Sequence, residues 1–281
     1  PFLTTVMWDG RESTNPSHSL QQNLAQQAID ATMGHAQGAL PTPAQVQAIV
    51  DFESHIFTAQ ANSTLAGKLS SGGGLGGAQN LSPQAFYVGI NDALGADPTG
   101  KPFDPNTITI YSAWLNSSNK NKAQIARGEQ LFNTFPILIT GVNGLNDLPG
   151  MSAFTGSCTT CHDSPNVGNH SVSLAIDIGI TDYPAKGNLD ISGLPVYTVK
   201  NINTGDTVQD TDLGRAMVTG KFADVGKTKG PILRGLESRA PYFHNGAAKT
   251  LADAVEFYNQ RFNMNLSDSD KQALVAFLRT L

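Results

Sequence analysis

The chain has 281 residues, 28 of them Gly and 15 Pro, with only 15 % charged residues, a composition that favours short helices tied by long loops. Its formal net charge of -5 excludes a nucleic-acid partner, whose phosphates need clustered Lys and Arg, and no apolar run approaches the ~20 residues of a membrane-spanning helix. The length suits two modest domains, or one with large insertions, and the absence of a basic-then-apolar leader makes the chain read as soluble, and as processed or truncated.

The first predicted helix opens at Thr42, an N-cap followed by Pro43 at the first helical position and Gln45 three residues after the cap, and runs through PAQVQAIVDFESHIF. Residues 61–120 are then rich in Gly, Ser, Asn and Pro, including SSGGGLGG at 70–77. No Lys-Ser or Lys-Thr follows that glycine run and no apolar strand precedes it, so it is not a phosphate loop; flexible surface in an insertion or linker is expected. From Lys122 the stretch AQIARGEQLFN places Ile125, Gly128, Leu131 and Phe132 on one side of a helix, with Gly128 letting another helix cross closely. Thr250 caps LADAVEFYNQRF, which carries Leu251, Ala254, Val255 and Tyr258 on one face. Ser267 with Asp270 opens the last helix, DSDKQALVAFLRTL.

The helix from Thr42 and the last helix look alike. Aligned from their caps, Gln47, Ala48, Val50 and Phe52 fall on Gln272, Ala273, Val275 and Phe277. Such a short repeat suggests the end of one domain and the whole of a second like it, the competing reading being chance likeness of amphipathic helices.

The two cysteines, Cys158 and Cys161, lie inside Cys158-Thr159-Thr160-Cys161-His162, so they serve local chemistry and cannot staple distant parts of the fold. In C-x-x-C-H, two thiols three positions apart can add to the two vinyl groups of one porphyrin, and the adjacent imidazole then meets the iron. A zinc site would need about four ligands, and there is no second Cys pair. A thioredoxin-like dithiol needs a strand before it and a helix after it, whereas FTGSCTTCHDSPNVGN reads as loop on both sides. One covalent haem c is therefore expected, and because bacteria form the thioethers outside the cytoplasm, a periplasmic or extracellular location follows. The second axial position decides between binding peroxide and only passing electrons; Tyr258, Met264, Met217 and His244 are its candidates.

The stretches RGEQLF, CTTCH, DLGRAMVTGKFADVG, KGPILRGLESRAPYFHNG, TLADAVEFYN and LSDSDKQALVAFLRTL, in order over nearly all of 126–281, resemble the C-terminal domain of bacterial di-haem cytochrome c peroxidases and their MauG-type relatives. VMWDGRE at 6–12 is similar to a motif of that family's first haem domain, whose Trp lies between the two haems and corresponds to Trp8. The family's first C-x-x-C-H stands upstream of that motif, before this chain begins. The resemblance implies a second axial ligand fourteen residues after the His of the APYFHNG motif; from His244 that is Tyr258, where the peroxidase branch has Met and the MauG-type branch Tyr. A phenolate there should lower the reduction potential of the iron. The family's catalytic Glu falls near DATMGHAQG, which has no Glu; His35 could take and return a proton in its place and Gln37 could not. The resemblance and their charge make Arg215 and Arg234 partners for haem propionates. Family members also hold calcium through backbone carbonyls, here at Arg239 and Pro241, but the partner Asn would lie upstream of Pro1, and calcium is not among the expected cofactors.

The expected fold is all-α: a cytochrome c-like haem domain with long loops at 121–281, preceded by a loop-rich insertion or linker at 61–120 and by a partial second cytochrome c-like domain at 1–60. The expected function is electron transfer to or from the haem in a peroxidase or MauG-like assembly, with hydrogen peroxide as oxidant and a redox protein or second haem domain as partner. The alternative is a monohaem electron carrier without peroxidase activity.

Overall fold

The computed structural model describes residues 5–281. Its helices in chain order are α1 (Leu20–Asp30), α2 (Pro43–His55), α3 (Ala78–Leu81), α4 (Lys120–Thr134), α5 (Ala216–Thr219), α6 (Leu251–Arg261) and α7 (Asp268–Leu278). The strands are β1 (Asn62–Ser63), β2 (Gly67–Lys68), β3 (Ile137–Thr140), β4 (Ala153–Gly156), β5 (Ala175–Ile176), β6 (Tyr197–Lys200), β7 (Thr207–Asp210) and β8 (Thr228–Lys229). They pair as four antiparallel two-stranded sheets, β1–β2, β3–β4, β5–β8 and β6–β7. The all-α expectation needs correction: β3 contributes Ile137 and Ile139 to the packing core, and long loops between short helices satisfy part of their backbone by pairing with each other. Among the described residues no helix is long and apolar enough to cross a membrane.

The core is built where α4 and α7 cross. Gly128 of α4 lies against the Ala273 carbonyl of α7, the close crossing expected from the sequence, and Phe132, Leu131, Leu274 and Phe277 fill the interface. Phe277 is completely buried, which contributes roughly 1.5–3 kcal/mol relative to an exposed ring. Glu129, on the same helix, is buried too: Oε2 accepts from Tyr111 N at 2.7 Å and Oε1 from Ser112 Oγ at 2.6 Å. Burial raises its carboxyl from 4.5 to about 7.

Those contacts reach into residues 61–120, which are sparse in regular structure yet form one wall of the core through Leu69, Leu81, Ile108, Tyr111 and Trp114. Tyr111 and Trp114 stack at 4.7 Å, the Tyr111 hydroxyl donates to Thr280 O at 3.0 Å, and Trp114 Nε1 donates to Ser71 O at 2.9 Å. The glycine run is consequently not flexible surface. A Cβ on Gly74 would stand 2.4 Å from Leu69 O and 2.6 Å from Trp114 Cζ2, so the glycines are there to let the backbone pass against an indole ring.

α1, which the sequence analysis did not pick out, is capped by a Ser19/Gln22 box and continues as a π-turn, Ala31–His35. It packs against α2, whose Thr42/Gln45 box is the one expected. The likeness of α2 and α7 extends to their caps and not to their surroundings: Phe52 is 67 % exposed and Phe277 fully buried. Residues 5–11 dock on the second half of the chain. Lys229 N donates to Trp8 O at 2.9 Å, Lys229 Nζ to Thr5 O at 2.6 Å, and Arg215 Nη1 to Asp9 O at 3.0 Å.

Candidate functional site

Cys158–Thr160 forms a single 3-10 turn after β4, and the turn is closed by Cys161 N and His162 N, both donating to Cys158 O, at 3.2 and 3.0 Å. Ser157 and Thr160 fix its entry, with Ser157 N donating to Thr160 Oγ1 at 2.9 Å. A helical turn of this kind puts both thiols on one side with the imidazole beside them. The strand before the motif corrects the reading of loop on both sides. No helix follows it, and the surrounding protein pushes both thiols up to about 12, the opposite of an activated redox cysteine.

Both cysteines and His162 open onto a cavity of about 300 Å³, within the range of cofactor sites. Its walls are apolar: Ile137 and Ile139 of β3, Phe132 of α4, Ile176 and Ile178, Leu251 and Val255 of α6, and Leu274 of α7. His162 Nδ1 is 2.6 Å from the Gly168 carbonyl, to which it donates, so the lone pair of the neutral ring is on Nε2. Desolvation lowers His162 to about 4, keeping the ring in that neutral, ligating form.

α6 supplies the facing wall. Its Thr250/Asp253 capping box sets the helix so that Leu251, Ala254, Val255 and Tyr258 all line the cavity. Tyr258 lies between Phe243 and Phe262, at centroid distances of 6.2 and 6.4 Å, and burial raises its phenol well above the ordinary range. Met264 lines the same cavity, whereas Met217 is 70 % exposed and does not.

Trp8, Lys229 and His244 also border the cavity, with Trp8 and His244 at a ring distance of 5.5 Å. His244 Nε2 bonds Asp212 Oδ2 at 3.1 Å, and that bond holds the Asp212 carboxyl below its usual value. The neighbouring Phe243 has φ 63°, a conformation that costs a bulky residue of order 1–3 kcal/mol and that accompanies its packing on Phe257 and Tyr258. The structure thus brings Trp8, Cys158, Cys161, His162, His244, Tyr258 and Met264 around one space.

Three other expected residues are not among those lining it. His35 is exposed in the π-turn after α1. Arg215 binds the backbone of Asp9. Arg234 is buried and spans Leu233 O and Asn166 O, with Nε lacking a hydrogen-bond partner. Burial lowers Arg234 to about 10. Two cavity-lining residues escaped the sequence reading: Lys229, lowered by burial to about 8, and His170, bonded through Nδ1 to Asp163 at 2.9 Å. The only signal for His170 was its position eight residues after His162, which no periodicity marks.

No family model matches the chain. Curated relatives do. A cytochrome-c peroxidase IdrP2 of Denitromonas iodatirespirans is 34 % identical over 144 residues, covering 47 % of this chain and 38 % of its own length. The cytochrome c551 peroxidase of Nitrosomonas europaea is 34 % identical over 143 residues, 50 % of this chain and 35 % of its own. The cytochrome c peroxidase Ccp of Escherichia coli is 30 % identical over 205 residues, 71 % of this chain and 34 % of its own. The chain spans about a third of the length of these relatives. Two solved structures give looser likenesses. A MauG-like protein associated with microbial copper homeostasis aligns over 56 % of this chain and 43 % of its own at TM-score 0.32 and 22 % identity. Kuenenia stuttgartiensis hydrazine synthase aligns over 90 % and 60 % at TM-score 0.41 and 14 % identity. By its sequence relatives, the chain is similar to bacterial cytochrome c peroxidases over a stretch that reaches 71 % of its own length.

Proposed function

We propose that this chain carries one haem c, which Cys158 and Cys161 would hold by thioethers and His162 and Tyr258 would hold at the iron, and that it moves electrons to or from that haem in the reduction of hydrogen peroxide. The observation that carries the reading is the Cys158–His162 turn opening onto an apolar cavity while Gly168 O occupies His162 Nδ1. Two free thiols and a neutral imidazole, all facing an apolar space, fit a covalently held porphyrin and fit poorly with a zinc ion, which wants more donors. When bound, the haem supplies an iron that accepts and releases single electrons at a potential set by its axial ligands.

The chain's own residues would then divide the work. Gly168 orients His162, and the apolar walls from β3, α4, α6 and α7 would limit water around a bound haem. Tyr258, whose phenol burial keeps protonated in the protein alone, would lose that proton to solvent only where a strongly positive partner such as a ferric iron compensated the phenolate charge. Trp8, 40 % exposed and packed on His244, is the group through which electrons would enter from a redox protein or a second haem domain. His35 is exposed and does not line this cavity, so a proton-transfer role for it would belong to the second haem domain. Residues 121–281 are in this reading the haem domain, 61–120 an insertion that walls it, and 1–60 part of a second cytochrome-like domain. Thioether formation would put the protein in the periplasm or outside the cell.

The test is the protein made from the complete gene in cells that attach haem c. A pyridine haemochrome count, combined with stopped-flow mixing of the reduced protein with hydrogen peroxide, should show haem bonded to this segment and peroxide-dependent oxidation. Haem present with no reaction to peroxide would leave an electron carrier; no covalent haem would end the proposal.

A further inference from the structure

We propose that Asp92, Asp163 and His170 form a separate metal site that takes a zinc-class divalent cation and ties the 87–104 loop to the segment after the Cys158–His162 turn. One donor atom from each residue lies within 4.8 Å of the other two. His170 Nδ1 stands 2.9 Å from Asp163 Oδ2 and 3.9 Å from Asp92 Oδ1. Metal–ligand bonds of ~2.0–2.2 Å put tetrahedral donors ~3.3 Å apart, inside that spread, so an ion would draw the donors together by roughly half an ångström to ~1.5 Å.

The carboxylates are held in place from behind. Asp92 Oδ2 accepts from Leu94 N and Ala96 N, both at 2.9 Å, and Asp163 Oδ1 accepts from Ser171 N at 2.7 Å. That leaves Asp92 Oδ1 buried, turned toward the imidazole and without a hydrogen-bond partner. Both carboxylate side chains are fully buried, and among the described residues the ion pairs they form are with His170 alone. An uncompensated buried carboxylate oxygen is costly, and one imidazole cannot balance two such charges. A divalent cation can: it would match both carboxylates, occupy Asp92 Oδ1 and take the Nδ1 lone pair, and the proton now on the His170–Asp163 bond would pass to solvent.

The donor set selects the ion. Calcium and magnesium prefer shells of oxygen alone, whereas two carboxylate oxygens with one imidazole nitrogen suit zinc, with water as the fourth ligand. The site lies on a seam already joined by Gly89 N donating to Ser171 O at 3.0 Å and Asn91 Nδ2 to Asp163 O at 3.3 Å. An ion there would stiffen the loop whose Gly168 carbonyl orients His162.

The experiment uses the haem-loaded full chain, stripped with EDTA and titrated with Zn²⁺ alone, zinc being counted apart from iron by elemental analysis. One zinc per chain is expected, with an N/O shell containing one imidazole at the zinc K-edge and a higher unfolding temperature. Asp92→Asn should keep the haem spectrum, and Asp92→Asn and His170→Gln should each bind zinc at least tenfold more weakly. Absence of stoichiometric zinc, zinc held equally by both variants, a zinc shell lacking imidazole, or Ca²⁺ binding in preference to Zn²⁺ would each overturn the proposal. If a variant does not fold, the zinc edge of the unsubstituted protein decides it.

Discussion

Gly128 of α4 faces Ala273 of α7 so closely that a Cβ on Gly128 would stand 2.0 Å from the Ala273 carbonyl oxygen. The contact is with backbone, which cannot swing aside, so the two helices must separate to admit even a methyl group. Gly128→Ala is expected to destabilise the protein by about 1–3 kcal/mol despite the better helix propensity of Ala. Denaturant unfolding measures this; a stability equal to or above that of the unsubstituted protein would show that the helices do not cross here.

Glu129, one residue on, should make stability depend on pH. Its carboxyl is raised from 4.5 to about 7 in the folded state by burial, so between those values the folded chain holds a proton the unfolded chain has lost. Stability from this group is full below pH 4.5 and declines as pH rises to about 7, by at most about 3 kcal/mol. Glu129→Gln can still accept from Tyr111 N and donate to Ser112 Oγ, and should flatten the decline. Parallel pH profiles for the two proteins between 4 and 8 would contradict this.

Trp114 tests the role of residues 61–120. It is almost fully buried and hydrogen-bonded to Ser71 O, so Trp114→Ala should cost roughly 3–5 kcal/mol. A loss below 1 kcal/mol by thermal or denaturant melts would return the segment to the status of a loose linker.

Tyr258→Phe should leave the pigment covalently attached and raise its reduction potential, because the substitution removes the one phenol among the candidate ligands in the cavity and keeps the ring. Spectroelectrochemistry on the two proteins reads this directly; an unchanged potential and spectrum would exclude Tyr258 as a ligand.

How far the sequence carries can be judged from these same residues. The caps at Thr42, Thr250 and Ser267 and the α6 face ending at Tyr258 were legible because helix caps and 3.6-residue periodicity are local signals. So was the close crossing at Gly128. The packing of Gly74 against Trp114 was not, because a glycine run has the same composition whether it moves freely or lets two chain segments touch, and its partner lies forty residues away. α1 was missed although its signals are local ones, a Ser19/Gln22 capping box and Leu20, Leu24 and Ala28 at helical spacing. The Cys158–His162 turn announced its chemistry, while the Asp92–Asp163–His170 cluster could not, since its members meet only when the 87–104 loop folds back.

The most direct measurement for the central claim is intact mass spectrometry, after extraction with acidified acetone, of protein produced where haem c is attached. Thioether attachment predicts a chain heavier by one haem, the pigment staying with the protein, and loss of that added mass when Cys158 and Cys161 are both replaced by Ser. A chain of bare polypeptide mass, with the pigment in the acetone, would contradict it.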